Sequence, residues 1–141
     1  MKTSDKMKIC VVGCGYVGLA TAVAISKKEI VTVYDIDSNR VECLRHDVLP
    51  INDENLNNAF HNNRCRIIVE ASKEICIREN DCFILALPTD DKNGLLDTSI
   101  LEKWIEELIS KKRKLSMIVI RSTVPVGFTK SMQERFAYQN I

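Results

Sequence analysis

The chain carries five glycines, and three of them, Gly13, Gly15 and Gly18, fall within six positions of the stretch KICVVGCGYVGLATAVAI, residues 8–25. An apolar run suited to a buried strand is followed at once by Gly-x-Gly-x-x-Gly, and then by a second apolar run of helical composition. Glycines clustered at such a junction serve one of two ends. Either the backbone must bend sharply there for packing, or something must approach the main chain closely.

Short runs rich in valine and isoleucine recur along the sequence: KICVV at 8–12, IVTVYD at 30–35, RIIV at 66–69, DCFILAL at 81–87 and SMIVI at 116–120. They are continuous rather than alternating, the pattern of strands buried on both faces of a parallel sheet. Helical patterns fill the gaps. In DTSILEKWIEELISKKRK, Ser99 with Glu102 reads as a capping box, and Ile100, Trp104 and Leu108 beside Leu101, Ile105 and Ile109 form one apolar stripe. The basic end of that helix, Lys111 to Lys114, reads as cations placed favourably against the helix dipole rather than as a binding patch. A second helix is predicted after Asp37 with Val41 and Leu44 inward, a third over 53–62 using Leu56, Ala59 and Phe60, and another over 127–137. Strand and helix alternate, which predicts an α/β, Rossmann-type doubly wound parallel sheet with right-handed crossovers and strand order 3-2-1-4-5-6. The chain stops at YQNI, where a sixth strand is expected to begin. Strand five, SMIVI, is therefore expected to be an uncovered edge, open to self-association.

At 141 residues and 45% hydrophobic content the prior is a single domain, read as an N-terminal extension over 1–6 and a dinucleotide-binding domain over 7–141. Lysine and arginine total 20 against 19 aspartates and glutamates, so charge offers no reason to expect nucleic acid or an anionic membrane as partner. The longest apolar runs are six residues, and the start MKTSDK has no secretory character, so the expected location is cytoplasmic. Six cysteines contain no Cys-x-x-Cys pair, and Cys10, Cys76 and Cys82 sit among apolar residues as small hydrophobes. With only His46 and His61 to add, no metal-ligand spacing emerges and no metal site is assigned.

The glycine motif occupies the one context that gives it meaning, directly after a strand and opening a helix. There the first glycine permits the tight turn, the second lets a pyrophosphate reach the main chain, and the third lets helix and strand pack closely. Ala20, Ala22 and Ala24 are expected to keep that helix near the sheet. Asp35 follows Gly15 by 20 residues at the end of the second strand, where an acid accepts the adenosine ribose hydroxyls. A carboxylate there repels a 2′-phosphate, so Asp35 and Asp37 favour NAD over NADP, although Arg40 nearby is a residue type that accepts phosphate. Thr89 after the fourth strand and Thr123, with Ser122 and Pro125, after the fifth are polar where a buried sheet needs none. Each threonine also suits a helix or turn cap. In this fold both face the cofactor crevice.

KICVVGCGYVGLATA, YDIDSNRVECL, LPTDDKNGLLDTS and IRSTVPVGFTKSM together resemble the N-terminal NAD-binding domain of the UDP-glucose/GDP-mannose dehydrogenase family, from Met7 to the end. PTDDKNGLLDTS is more similar to the branch acting on UDP-glucose than to the branch acting on UDP-N-acetylmannosamine. The resemblance implies a four-electron oxidation of UDP-glucose to UDP-glucuronate by two NAD, through a thioester on a cysteine. It implies that Tyr16 and Val17 lie on the pyrophosphate loop, Asp35 and Arg40 at the adenosine end and Thr89 along the cofactor. Thr123 is implied near the reacting carbon, where it positions water and counts as catalytic. Family members are roughly 400 residues long and carry the nucleophilic cysteine in a glycine-rich segment of the C-terminal half. None of the six cysteines here matches that motif, so the chain alone is expected to be inactive. The other reading is a stand-alone dinucleotide-binding regulatory module, or part of a dehydrogenase for another UDP-sugar.

Overall fold

The computed structural model describes residues 6–112 and 114–141. The expected extension over 1–6 therefore lies outside the described residues except for Lys6, as does Arg113 in the basic helix end. Among the described residues seven strands form: β1 (Ile9–Val12), β2 (Val31–Tyr34), β3 (Ile67–Glu70), β4 (Cys82–Leu85), β5 (Asp91–Lys92), β6 (Leu95–Leu96) and β7 (Met117–Ile120). Six α-helices accompany them: α1 (Tyr16–Ser26), α2 (Ser38–Arg45), α3 (Glu54–Asn62), α4 (Lys73–Glu79), α5 (Ser99–Lys111) and α6 (Phe128–Phe136). The main sheet runs β3-β2-β1-β4-β7, every pair parallel, so the order reverses beside β1. That reversal is the point at which a doubly wound sheet opens a crevice at its carboxyl edge.

The register sends alternate residues to two cores. On one face Val11, Val33 and Ile84 pack with Leu19, Ala22, Leu44 and Phe60. On the other, Val12, Phe83, Leu85 and Ile118 pack with Leu101, Ile105 and Leu108 of α5. Each such fully buried side chain contributes about 1.5–3 kcal/mol relative to exposure, which is why the central strands read as unbroken apolar runs. β3 departs from that reading. It is an edge strand, and Ile68 is 51% exposed.

Local chemistry sets the helix starts. Asp37 caps α2 by accepting from the Asn39 and Arg40 N–H groups, Asp53 caps α3 through Leu56, and Ser72 caps α4 through Ile75. The predicted Ser99–Glu102 box is corrected by one residue. Thr98 is the N-cap of α5 and its hydroxyl donates to Glu102 at 2.7 Å, while Ser99 is already helical. Ile100 likewise leaves the predicted core stripe and is half exposed, because the inward face of α5 is Leu101, Trp104, Ile105 and Leu108. Of the three alanines in α1, Ala22 is fully buried but Ala24 faces solvent, since about 100° of rotation per residue carries alternate positions off the sheet.

Among the described residues the predicted set lacks the short 3-10 turn Arg64–Arg66, α4, and the hairpin β5–β6, whose turn residues Asn93 (φ 59°) and Gly94 (φ 80°) both adopt the left-handed conformation that a two-residue hairpin turn requires. The expectation that strand five would be an uncovered edge is also corrected. The Ile118 N–H of β7 donates to the Asn140 carbonyl at 2.8 Å, and the Tyr138 hydroxyl reaches the Leu115 carbonyl at 2.9 Å. The last residues fold back onto the outer side of β7 and satisfy part of its backbone.

Candidate functional site

All the predicted site residues, Gly13, Gly15, Tyr16, Val17, Gly18, Asp35, Arg40, Thr89 and Thr123, line one cleft of about 650 Å³ at the carboxyl ends of β1, β2, β4 and β7. A second cavity, about 490 Å³, lies against α4 and contains none of them.

The three glycines play different parts. Gly13 has φ +101°, and a Cβ on it would stand 2.3 Å from the Ala86 carbonyl oxygen of the chain leaving β4. A Cβ on Gly18 would stand 1.8 Å from the Gly13 carbonyl oxygen. Both positions are glycine because the protein itself fills the space. Gly15 differs, since a Cβ there would meet only the Arg40 guanidinium at 3.9 Å, and the backbone has an ordinary φ of −75°. The absent side chain at Gly15 keeps clear a surface of the cleft rather than a contact within the protein.

Gly15 is also the N-cap of α1, and unlike α2, α3 and α4 this helix has no side-chain cap; its first turn also lacks the acid found in those of α3 and α4. Its leading N–H groups and positive dipole end are thus turned to the cleft, and among the described residues no carboxylate hydrogen-bonds them, the arrangement that receives a phosphate. Tyr16 and Val17, the first two residues of α1, are exposed. The Tyr16 hydroxyl donates to Asp53 at 3.2 Å, and that carboxylate holds the phenol above its ordinary range.

Asp35 stands just past β2. One carboxylate oxygen accepts the Cys14 N–H at 2.6 Å and the other the Asp37 N–H at 2.8 Å. Arg40 reaches back from α2 to donate to the Cys14 carbonyl at 3.0 Å and lies 3.6 Å from Asp37. Acid and guanidinium therefore grip the same loop residue from its two backbone groups. The Cys14 thiol is turned into the protein, where burial, reinforced by the Asp35 charge and opposed by Arg40, pushes it up to about 12. It is not a nucleophile at neutral pH.

Opposite the glycine loop, the Thr89 hydroxyl donates to the Thr123 carbonyl at 2.7 Å, joining the loops after β4 and β7. Ser122, noted in the sequence only as polar, is the stronger bracket: its hydroxyl accepts the Leu87 N–H at 2.9 Å and donates to the Leu87 carbonyl at 2.7 Å. The Thr123 side chain is exposed, and among the described residues its hydroxyl has no partner. Ile36, Ile100 and Trp104 form the apolar wall, with Trp104 5.6 Å from Tyr34 between ring centroids. Ile100 and Trp104 read as core in the sequence, and their place at the cleft follows from how α5 crosses the sheet. Among the described residues no three His, Cys, Asp or Glu side chains converge to hold a metal.

A glycine surface left open at an uncapped helix start, an acid fixed at the end of β2 and an apolar wall fit a dinucleotide. The molecule is a Rossmann-type dinucleotide-binding domain. The chain matches the UDP-glucose/GDP-mannose dehydrogenase family, NAD binding domain, over residues 7–140, and it belongs to that family. It is 32% identical over 139 residues to UDP-glucose 6-dehydrogenase of Campylobacter jejuni, covering 96% of this chain and 35% of that protein. It is 30% identical over 139 residues to UDP-N-acetyl-D-mannosamine dehydrogenase of Methanococcus maripaludis, covering 92% and 31%. The structure of a UDP-glucose dehydrogenase from Pyrobaculum islandicum superposes with a TM-score of 0.83 at 25% identity, over 99% of this chain and 34% of that one. The chain thus spans about a third of the length of these relatives. No helix among the described residues is long and apolar enough to cross a membrane.

Proposed function

We propose that residues 7–141 are the cofactor-binding part of a dehydrogenase that oxidises the 6-hydroxymethyl group of UDP-glucose to the carboxylate. The observation that carries this reading is Gly15, whose bare α-carbon faces the cleft beside an uncapped helix start, with Asp35 anchored across the same loop. NAD supplies the hydride acceptor when bound. The N–H groups leading α1, at Tyr16, Val17 and Gly18, hold the pyrophosphate, and Asp35 takes the ribose hydroxyls with Arg40 beside it. Thr89 lies along the cofactor, and Thr123, whose hydroxyl is free to take a ligand, holds water at the reacting end.

UDP-glucose is favoured over other UDP-sugars by the segment PTDDKNGLLDTS and by the UDP-glucose 6-dehydrogenase relatives. Among the described residues no cysteine lines the cleft, which supports a domain that binds NAD but does not complete turnover alone. Six free cysteines fit the reducing cytoplasm. Neither nucleic acid nor membrane is a partner in this reading, and the part of the β7 edge left bare by the chain end is where copies self-associate.

Calorimetric titration tests the cofactor, with NAD expected to bind at least tenfold more tightly than NADP; equal or reversed affinities overturn it. Given UDP-glucose and NAD, the chain is expected to form no NADH by absorbance at 340 nm. Sustained NADH formation that is lost on Thr123→Ala would place the whole chemistry within this domain.

A further inference from the structure

We propose that Cys10 and Cys76 are an oxidisable dithiol whose disulfide ties α4 to the central strand β1. The two Sγ atoms lie 3.0 Å apart across a sequence separation of 66 residues, both thiols fully buried. This is about 1 Å outside a disulfide bond length of roughly 2.05 Å. Cys10 points from β1 to the α4 face of the sheet and Cys76 points down from the middle of α4. A small sliding of α4 is enough to close the gap. No other pair of the six sulfurs makes such a contact among the described residues.

The cavity of about 490 Å³ beside α4 is walled by Met7, Ile30, Ile68 and Ile75 and has Cys76, but not Cys10, in its lining. Neither thiol is exposed in the fold, so local opening of α4 brings Cys76 first to a reagent in that cavity, and Cys10 is the thiol that resolves. With a low-molecular-weight disulfide as oxidant, Cys76 sulfur attacks one sulfur of the reagent, breaking its S–S bond and releasing one thiol that takes the Cys76 proton. Cys10 sulfur then attacks the Cys76 sulfur of the mixed disulfide, and the second reagent thiol leaves with the Cys10 proton. Two protein thiols are oxidised and one reagent disulfide is reduced to two thiols. Burial raises the Cys10 thiol well above its ordinary range, so the resolving step is slow rather than forbidden.

Cys10 is the second residue of β1, and neither it nor Cys76 lines the cofactor cleft, so the bond is expected to stabilise the fold without altering that cleft. The inference does not depend on the proposed function. To test it, Cys43 and Cys65, the two cysteines that are not buried, are replaced by serine, and the folded protein is incubated with oxidised glutathione, quenched with N-ethylmaleimide and mapped by mass spectrometry. The expected product has lost two hydrogens and links the peptides holding Cys10 and Cys76. Its Tm rises by about 5 °C or more, NAD affinity stays within twofold, and dithiothreitol reverses the change. Cys10→Ala is expected to stop at a glutathione adduct on Cys76. A linkage through Cys14 or Cys82 overturns the proposal. So does a lasting Cys76 adduct with Cys10 still free in the parent protein, or both thiols still free after prolonged incubation; these readouts stand even if the alanine variant fails to fold.

Discussion

The Asp35 carboxylate accepts the Cys14 N–H at 2.6 Å, fastening the acid at the end of β2 to the loop between the first two glycines. With the Asp37 N–H on its other oxygen at 2.8 Å, the contact fixes the carboxylate in the lining of the cleft. Replacing Asp35 by Asn keeps the shape but removes the charge that strengthens this bond and opposes a 2′-phosphate. A charge-assisted hydrogen bond is worth about 1.5–3 kcal/mol, so Asp35→Asn is expected to weaken NAD roughly tenfold or more and to erase its advantage over NADP. Calorimetry with both cofactors measures this; unchanged discrimination would remove Asp35 from the adenosine site.

Two of the glycines separate binding from folding. Gly15→Val places its side chain in the cleft, so NAD binding is expected to fall below detection while stability changes by about 1 kcal/mol or less. Gly18→Ala drives a methyl group to 1.8 Å from the Gly13 carbonyl oxygen, which requires α1 to move off the sheet and is expected to cost about 3 kcal/mol or more. Urea unfolding and NAD titration of the two variants should give opposite orders of damage.

Cys14 makes stability depend on alkaline pH. Its thiol titrates near 12 in the fold against an ordinary 9.0, with burial the main cause. A group raised on folding contributes fully below the unfolded value and loses that contribution as pH climbs toward the folded one. Between about pH 9 and 12 the unfolded chain has lost the proton that the native chain keeps, so stability falls by up to about 1.4 kcal/mol per pH unit. Thermal melts should show Tm dropping above pH 9, and Cys14→Ala should make that slope shallower, leaving the share of the Cys10 thiol, which burial also raises. An equal slope in the variant would assign the alkaline loss to other groups.

The chain end guards β7. Deleting residues 138–141 removes the Tyr138 contact to Leu115 and the Asn140 carbonyl that takes the Ile118 N–H. The bared edge is expected to lower Tm by about 5 °C and to raise light scattering with concentration. A shortened chain as stable as the original and no more self-associated would show that these contacts do not matter in solution.

The strands, their parallel order and the place of the glycine motif were legible in the sequence because each depends on local pattern: unbroken apolar runs, a strand-to-helix junction, an acid at the next strand end. Helix boundaries were less so. Thr98 rather than Ser99 caps α5, since neighbouring cap residues look alike until the chain shows where helical dihedrals begin. The Asn93-Gly94 pair is a local signal for the hairpin, legible in the chain itself. What only the tertiary structure decided is what faces what. Gly13 and Gly18 make room for protein, whereas Gly15 leaves the cleft open. Ser122 brackets the loop at Leu87, Ile100 and Trp104 serve as cleft wall, and Cys10 meets Cys76 66 residues away. Local periodicity reports which side of a helix or strand a residue occupies. It carries no record of which distant backbone or side chain arrives there, because that is set by the packing of whole elements against one another.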